Sequence, residues 1–575
     1  MNGTLLLCIC LAYFVVGYFT YGGYIRRLFN INPDRQTPAH TNFDGVDYEP
    51  CNTVVLFGHH FSSIAGAGPI VGPIVASYFG WLPALLWILI GCVFIGAVHD
   101  FAALFLSVRN QGKSIGFIIE KILGFKGRQL FLMFSLCALI LVVTIFALMV
   151  VGTFIATPAV ATSSVIFILI APIFGFISRT FLSLRTASVI FVPIILAVIY
   201  FSTIYVVDVK ELLSLDDTGI KYFWLAVIGI YILLASVFPV HWLLQPRDYL
   251  SSYILYAMLV IGFVGVFVYQ PEIQLTAFKG FTVTGASGTE DFMFPSLFIL
   301  IACGACSGFH SLVASGTTAK QITSEKSIQV IGYGSMIMEG IIGVLGIIAV
   351  AYLSDADFAT IGKNPVHAFA SGLGVFAESF GLPKEVGSVF ISLAISAFML
   401  TSLDTATRLA RFLWQELFSS TYLKTKELND KSHHEVQLAN ASVLSQLKKL
   451  ITNNWVASLI IVTISIGFAL SGQATSIWPI FGSANQLLSA ITLLTVTIYL
   501  IIKKKNFWIT LLPTMLMIVM SVWGIVNVFT GSLGKNNSLV ISSAILLALS
   551  LVLIVLAIIV TTRYAKGLVQ VDDLD

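Results

Sequence analysis

Residues 52–80 read NTVVLFGHHFSSIAGAGPIVGPIVASYFG, and this stretch decides the fold. It is long enough to cross a bilayer, since about 20 residues rising about 1.5 Å each span about 30 Å. As one continuous helix it is poor. Gly66, Gly68 and Gly72 weaken it, and Pro69 and Pro73 each remove an amide donor and press on the preceding turn. His59, His60, Ser62 and Ser63 stand just before the interruption. A lipid-facing helix gains nothing from these residues. A helix that breaks at mid-membrane and offers its backbone to a small solute needs them.

The rest of the chain supports a membrane setting. Of 575 residues, 57% are hydrophobic and 10% are charged, where soluble domains run at about 25% charged. The apolar runs are continuous rather than alternating, which excludes an outer-membrane barrel. The first run, Leu5 to Tyr21, has no charged region before it and is followed by Arg26 and Arg27. It is expected to be a retained span rather than a cleaved signal. Seven cysteines fall almost entirely inside apolar runs, which argues against a disulfide framework. Cys303 and Cys306 have CxxC spacing, but within a span they are expected to pack rather than carry redox or metal chemistry.

Hydropathy places about fifteen spans, near 4–24, 52–78, 82–107, 129–157, 161–178, 187–207, 222–243, 250–269, 292–315, 329–353, 386–407, 456–471, 476–502, 508–530 and 539–562. With the N-terminus outside, 25 of the 31 basic residues fall on the cytoplasmic side, including every arginine. One missed span would mix the two classes, so the segregation supports this count, with the C-terminus inside. Four regions follow: an N-terminal helix and loop (1–51), a core (52–418), a polar cytoplasmic linker (419–454) and a C-terminal helical region (455–575). Ser114–Phe125 is amphipathic and flanked by Lys113, Lys126 and Arg128, and is expected to lie at the membrane interface. His433 and His434, in the linker, are expected to be solvated.

Ionisable groups inside a span cost about 2.5–3.5 kcal/mol each on insertion scales. His59, His60, His99, Asp100, His241, His310, Glu339 and Asp404 therefore need a reason. Each either hydrogen-bonds a neighbouring helix or serves function. Arg408, Arg411 and Glu416 are expected to anchor the cytoplasmic interface. The seventh span ends VFPVHWLLQPRDYLSS, where Pro239 and Pro246 interrupt it around His241, Trp242 and Gln245. It follows the second span by five and so runs the other way. Two interrupted helices in opposite directions point to an inverted-repeat transporter. On the ninth span Ser307, His310 and Ser311 share a helical face that Ser315 and Thr318 continue. Hydroxyls beside the unwound carbonyls of the second span would suit sodium; a histidine there would suit a proton.

FGHHFSSIAGAGPIVGPIVA, GAVHDF at Gly96–Phe101, LLQPRDYLSS at Leu243–Ser252, SGFHSLVASGTT at Ser307–Thr318 and TSLDTATR at Thr401–Arg408 together resemble the carbon starvation protein A (CstA) family. WPIFGSANQLLSA at Trp478–Ala490 resembles the family's tail. The resemblance implies a bacterial inner-membrane uptake system for peptides or pyruvate in nutrient stress. Through its superfamily it also implies a LeuT-like five-plus-five inverted repeat, with one extra helix before the core and four after it.

The expectation is an all-α integral membrane protein that imports a small carboxylate-bearing nutrient by cation symport, with a proton or sodium as coupling ion and no other cofactor. The substrate is expected between Ser62, Ser63, Ala65, Gly66, Ala67 and Gly68 on one wall and Trp242 and Gln245 on the other. Ion coupling is expected of His59, His60, Ser307, His310, Ser311, Ser315, Thr318 and Asp404, with Glu339 a further candidate for the proton behind them. The partners expected are the substrate and the lipid bilayer, with no nucleic acid. Two alternatives stand beside this reading: a nutrient sensor that does not transport, and a membrane metalloenzyme built on the histidines, for which no HExxH spacing is present.

Overall fold

The computed structural model describes all residues except 1, 46–47, 239–243, 286–289, 419–442, 473 and 566–575. Backbone amides at a helix start have no partner of their own in a membrane, and polar side chains supply one. Asn2, Asn52, Ser114, Ser183, Asp216 and Asn453 each accept a hydrogen bond from a first-turn amide of the helix they precede. Twelve described helices are long and apolar enough to cross a membrane. A thirteenth span is the bent pair Thr53–Ile64 and Gly68–Phe79, which turns by 46° at the Ala65–Ala67 interruption. Two of the fifteen expected segments take other forms. Asn454–Leu470 is a shorter apolar helix. The ninth segment is a chain of three short helices, Met293–Leu300, Ala302–Ala305 and Gly308–Gly316.

Of the expected second interruption, residues 239–243 lie outside the described residues; Asp217–Val237 ends before them, and Pro246 stands in the first turn of Leu244–Tyr269. The divided helix is the ninth, where Cys306 and Ser307 have extended backbone between Ala305 and Gly308. The physical reason is visible in hindsight. Proline in the first turn of Leu244–Tyr269 costs no hydrogen bond, whereas the glycines and small residues of 302–308 let another backbone press close.

Burial separates centre from edge. In Gln329–Ala351 89% of the most apolar window is buried, against 28% in Asn537–Ile559. Ile115–Ala156, Lys384–Phe418 and Ser476–Ile502 all reach 83%. The last of these belongs to the expected C-terminal appendage, yet it is central. Arg185–Ile204, inside the expected core, is only 33% buried.

Several surface expectations are corrected. Ile115, Ile118, Ile119, Ile122 and Leu123 are buried inside the protein rather than lying on lipid. Their helical segment joins the long helix through Gly124, whose φ of 74° no L side chain adopts readily. Its amphipathic pattern faces protein, not headgroups. Arg408 and Arg411 are not interfacial anchors. They are buried and donate to the Ala235, Phe238 and Ser236 carbonyls at the end of Asp217–Val237. These carbonyls are ones that a helix C-terminus leaves without internal partners.

The two broken helices meet at their breaks. A Cβ on Gly68 would overlap the Cys303 side chain, and one on Gly72 would overlap the Leu300 carbonyl. Gly72→Ala is expected to lower stability by about 1–3 kcal/mol, the usual cost of overpacking. Gly467→Ala, where nothing stands within 4 Å of the added Cβ, is expected to be neutral. Thermal unfolding of both variants in detergent checks this; equal melting temperatures would contradict the close crossing.

Candidate functional site

The interruption in the second span leaves unsatisfied backbone. The Ala65 amide donates to Phe61 O and the Gly66 amide to Ile64 O. The amides of Ala67 and Gly68 make no hydrogen bond among the described residues. They point from the start of the half-helix Gly68–Ala76, the end that carries its partial positive charge. Of the expected amide wall, Ala65 and Gly66 are thus engaged, and Ala67 and Gly68 are free to bind. Ser62 and Ser63 turn back on His59 O, at 3.1 and 2.8 Å. Ser402 Oγ donates to Ser63 O at 3.2 Å and ties the first half-helix to Lys384–Phe418.

Two cavities bracket this break. A small one of about 10 Å³, room for roughly a single water, is lined by Gly66, Gly68, Phe146, Cys303, Ser307 and Phe481 among others. A vestibule of about 620 Å³ is lined by Val71, Met149, Leu300 and Trp478, with Lys363, Lys535 and Asp291 towards its loop end. Four elements line both, and each does so three residues apart: Gly68 and Val71, Phe146 and Met149, Cys303 and Leu300, Phe481 and Trp478. The cavities are therefore about one helical turn apart. The numbering rises towards the vestibule in the first two elements and falls in the other two, so the two broken helices run antiparallel. Phe481 packs at 5.2 Å from Trp478 and 6.0 Å from Phe146, ring centre to centre, and these rings fill the turn between.

The two adjacent histidines before the break face different clusters. His60 is buried, with Nδ1 2.8 Å from Thr318 Oγ1. Its charged neighbours include Asp100 and His310. Asp100 is fully buried and is held on both oxygens: His99 Nδ1 lies 2.7 Å from Oδ1, and His310 Nδ1 lies 2.8 Å from Oδ2. With Asp100 ionised, both Nδ1 atoms donate. His310 Nε2 then stands 3.5 Å from Glu339 Oε2. Neither Glu339 oxygen has a hydrogen-bond partner among the described residues. Single-turn π-bulges, frequent at functional sites, precede both carboxylates, at Cys92–Gly96 and Gln329–Tyr333.

His59 faces the other way, with Nδ1 3.7 Å from Asp248 Oδ2. Arg247 lies within this second cluster. It pairs with Asp404, Tyr231 and Asp248 and donates to Thr401 Oγ1 at 3.1 Å. It is 1% exposed, although its sequence position suggested a cytoplasmic loop. Asp404, expected to couple an ion, is thus neutralised by a buried guanidinium.

The structure brings His60, Thr318 and His310 into one neighbourhood and places His59 and Asp404 in another. The hydroxyls do not line the break carbonyls as a sodium site would need. Ser311 bonds Gly308 O at 2.7 Å and Thr492 at 3.2 Å, and Ser315 bonds Ser311 O at 2.7 Å. Only Ser307 lines the break cavity, and its hydroxyl is shared with Asn485. Trp242 and His241 lie outside the described residues, as do the side chain of Gln245 and both linker histidines. Asn485, Phe481 and Trp478 carry roles that sequence reasoning missed. Asn485 Oδ1 accepts from the Phe309 amide at 2.9 Å and so caps the last piece of the ninth segment. The available signal was an Asn-Gln pair inside an otherwise apolar span. Among the described residues, no group of three or more His, Cys, Asp or Glu is arranged to hold a metal ion.

Comparison with known proteins agrees in one direction. The sequence profile described as carbon starvation protein CstA matches residues 2–365 and 359–524. The peptide transporter CstA of Bacillus subtilis (strain 168) is 31% identical, over 97% of this chain and 97% of its own. The pyruvate/proton symporter BtsT of Escherichia coli (strain K12) is 29% identical, over 89% of this chain and 80% of its own. A manganese transporter of Eremococcus coleocola superposes at a TM-score of 0.39 with 12% identity, over 93% of this chain and 99% of that one, too loosely to match helices one by one.

Removing one partner of a buried ion pair typically costs about 3–5 kcal/mol, while removing both costs less. Arg247→Met is expected to destabilise the protein by about that amount. Arg247→Met combined with Asp404→Asn is expected to recover part of the loss. Unfolding temperatures of the single and double variants decide it; simple additivity would mean the pair does not carry the cluster.

Proposed function

We infer that this chain, which belongs to the carbon starvation protein CstA family, is a secondary active transporter that imports a small carboxylate-bearing nutrient with a proton. The observation that carries this reading is the crossing of two antiparallel broken helices. It leaves two unused amides at a half-helix N-terminus, beside a buried cluster of histidines and carboxylates. The amides suit a carboxylate, whose charge meets the positive end of the half-helix. A peptide and pyruvate both present that group, and relatives named for each are similar to this chain.

The vestibule and the small cavity support an outward-facing, closed arrangement. Basic-residue segregation places Lys363 and Lys535 outside and the Arg109 and Arg128 loops inside, so the vestibule opens outwards. Substrate would reach the break by displacing the rings of Trp478, Phe481 and Phe146. A proton is favoured over sodium because the hydroxyls of Ser311 and Ser315 are spent within their own helix and on Thr492. His60, His310 and Glu339 offer buried proton-carrying groups instead. The bacterial inner membrane, with the N-terminus outside, and a role in carbon starvation complete the proposal.

Counterflow in proteoliposomes tests it. Purified protein loaded with unlabelled pyruvate or a dipeptide is expected to accumulate the labelled form. Net uptake is expected to follow an inward proton gradient and not a sodium gradient. Binding without counterflow for both substrates would turn the reading to a sensor, and sodium-driven, pH-independent uptake would overturn the choice of ion.

A further inference from the structure

Between Asp100 and Glu339 stands one histidine, His310, facing both carboxylates. A single imidazolium balances a single carboxylate. The geometry says which one: Asp100 is hydrogen-bonded by His310 at 2.8 Å and again by His99 at 2.7 Å, while Glu339 is reached by His310 only at 3.5 Å. Glu339 is fully buried, and both its oxygens lack a hydrogen-bond partner among the described residues. A buried carboxylate without hydrogen bonds has less to hold it as an anion than one bonded on both oxygens. Asp100 is therefore the fixed charge of the cluster, and Glu339 is the group whose charge changes.

The surroundings agree. The titratable groups that act on Glu339 from the elements packed around it are His310, Asp100, Cys92 and Cys303. His60 acts in turn on the Asp100–His310 pair. No lysine or arginine is among them. Cys303 also lines the break cavity and abuts Gly68. Glu339 thus lies behind the wall of the proposed carboxylate site, in a medium that screens charge poorly.

We propose that Glu339 carries the coupling proton, and that a substrate carboxylate in the helix break is what favours its protonated form. This rests on the transport reading above. In the step, the Glu339 carboxylate takes one proton from the outer medium while the substrate anion occupies the break, so proton and anion enter with no net charge. After the inner side opens, the anion leaves, its repulsion with Glu339 is gone, and the proton passes to the inner medium. Anion binding and protonation are linked, so each strengthens the other by the same factor.

Two measurements test this separately from transport itself. In detergent, adding pyruvate to the wild-type protein is expected to raise the infrared carbonyl absorption of a protonated carboxylic acid. Glu339→Gln is expected to abolish that change. In proteoliposomes, Glu339→Gln is expected to lose proton-driven accumulation of pyruvate by tenfold or more and to show counterflow that no longer varies with pH. Glu339→Asp keeps the carboxyl and is expected to retain proton-driven accumulation with a displaced pH midpoint. Wild-type proton-driven accumulation by Glu339→Gln overturns the assignment. So does an unshifted midpoint in Glu339→Asp, or loss of all transport by both variants. Absence of counterflow in the wild type would sink the transport reading, and the infrared change would still decide whether Glu339 takes up a proton on pyruvate binding.

Discussion

A backbone amide in the middle of a membrane must find a partner, and there is no water there to be one. Everything central in this protein follows from where that rule is suspended. The second span breaks at Ala65–Ala67 and the ninth at Cys306–Ser307, and each break is enclosed by protein. The enclosure is specific. Asn485 caps Phe309, Ser402 takes the Ser63 carbonyl, and the Ala65 and Gly66 amides turn back into their own chain. After that accounting two amides are left, at Ala67 and Gly68. Two backbone donors left without a protein partner at a half-helix start are what make this otherwise covered break read as a binding site.

Charge obeys the same logic. A lone buried ion is expensive, and a pair is tolerable when hydrogen bonds complete it. Around Arg247, two carboxylates, a phenol and a hydroxyl gather about one guanidinium. That cluster ties Asp217–Val237, Leu244–Tyr269 and Lys384–Phe418 together. Beside Asp100, which two histidines bond, Glu339 has no hydrogen-bond partner among the described residues. His59 and His60, adjacent in sequence, project from the first half-helix towards one cluster each. The half-helix that forms the break therefore stands between the two charge clusters.

Much of this was legible in the sequence. The break at Gly66–Pro69, the membrane class and the buried candidates His60, His310 and Glu339 all follow from residue types that a lipid-facing helix would not tolerate. What was not legible depended on partners distant in the chain. Arg247 looks like a loop charge until Asp404, 157 positions away, is seen beside it. Proline marks a helix start as readily as a helix break, so Pro239–Pro246 drew attention from the glycine-rich 302–308, where the second break lies. Ser476–Ile502 looked like an appendage because hydropathy counts spans without saying which are central. The amphipathic 115–123 segment has the pattern of a membrane-surface helix, and only its packing shows that its apolar face meets protein.

The closures on the two sides of the break are unequal. Towards the vestibule, one turn of side chains intervenes, made by Trp478, Phe481 and Phe146. Towards the other side lie the buried 115–123 segment, whose Glu120 pairs with Arg128 at 3.1 Å, and two nearby ion pairs, Arg128 with Glu416 at 3.3 Å and Arg109 with Glu325 at 2.6 Å. Ser114 and Ile115 fasten the same segment to Glu416 and Ser315. Moving aromatic rings requires rotamer changes; moving this segment requires several charge-assisted bonds to part together, about the glycine at position 124. A thin barrier can follow the arrival of a solute. A thick one yields only if occupancy of the break changes the balance among the helices that meet there. Since Ser315 belongs to the same short helix as His310, the inner closure and the charge cluster around His310 share one element.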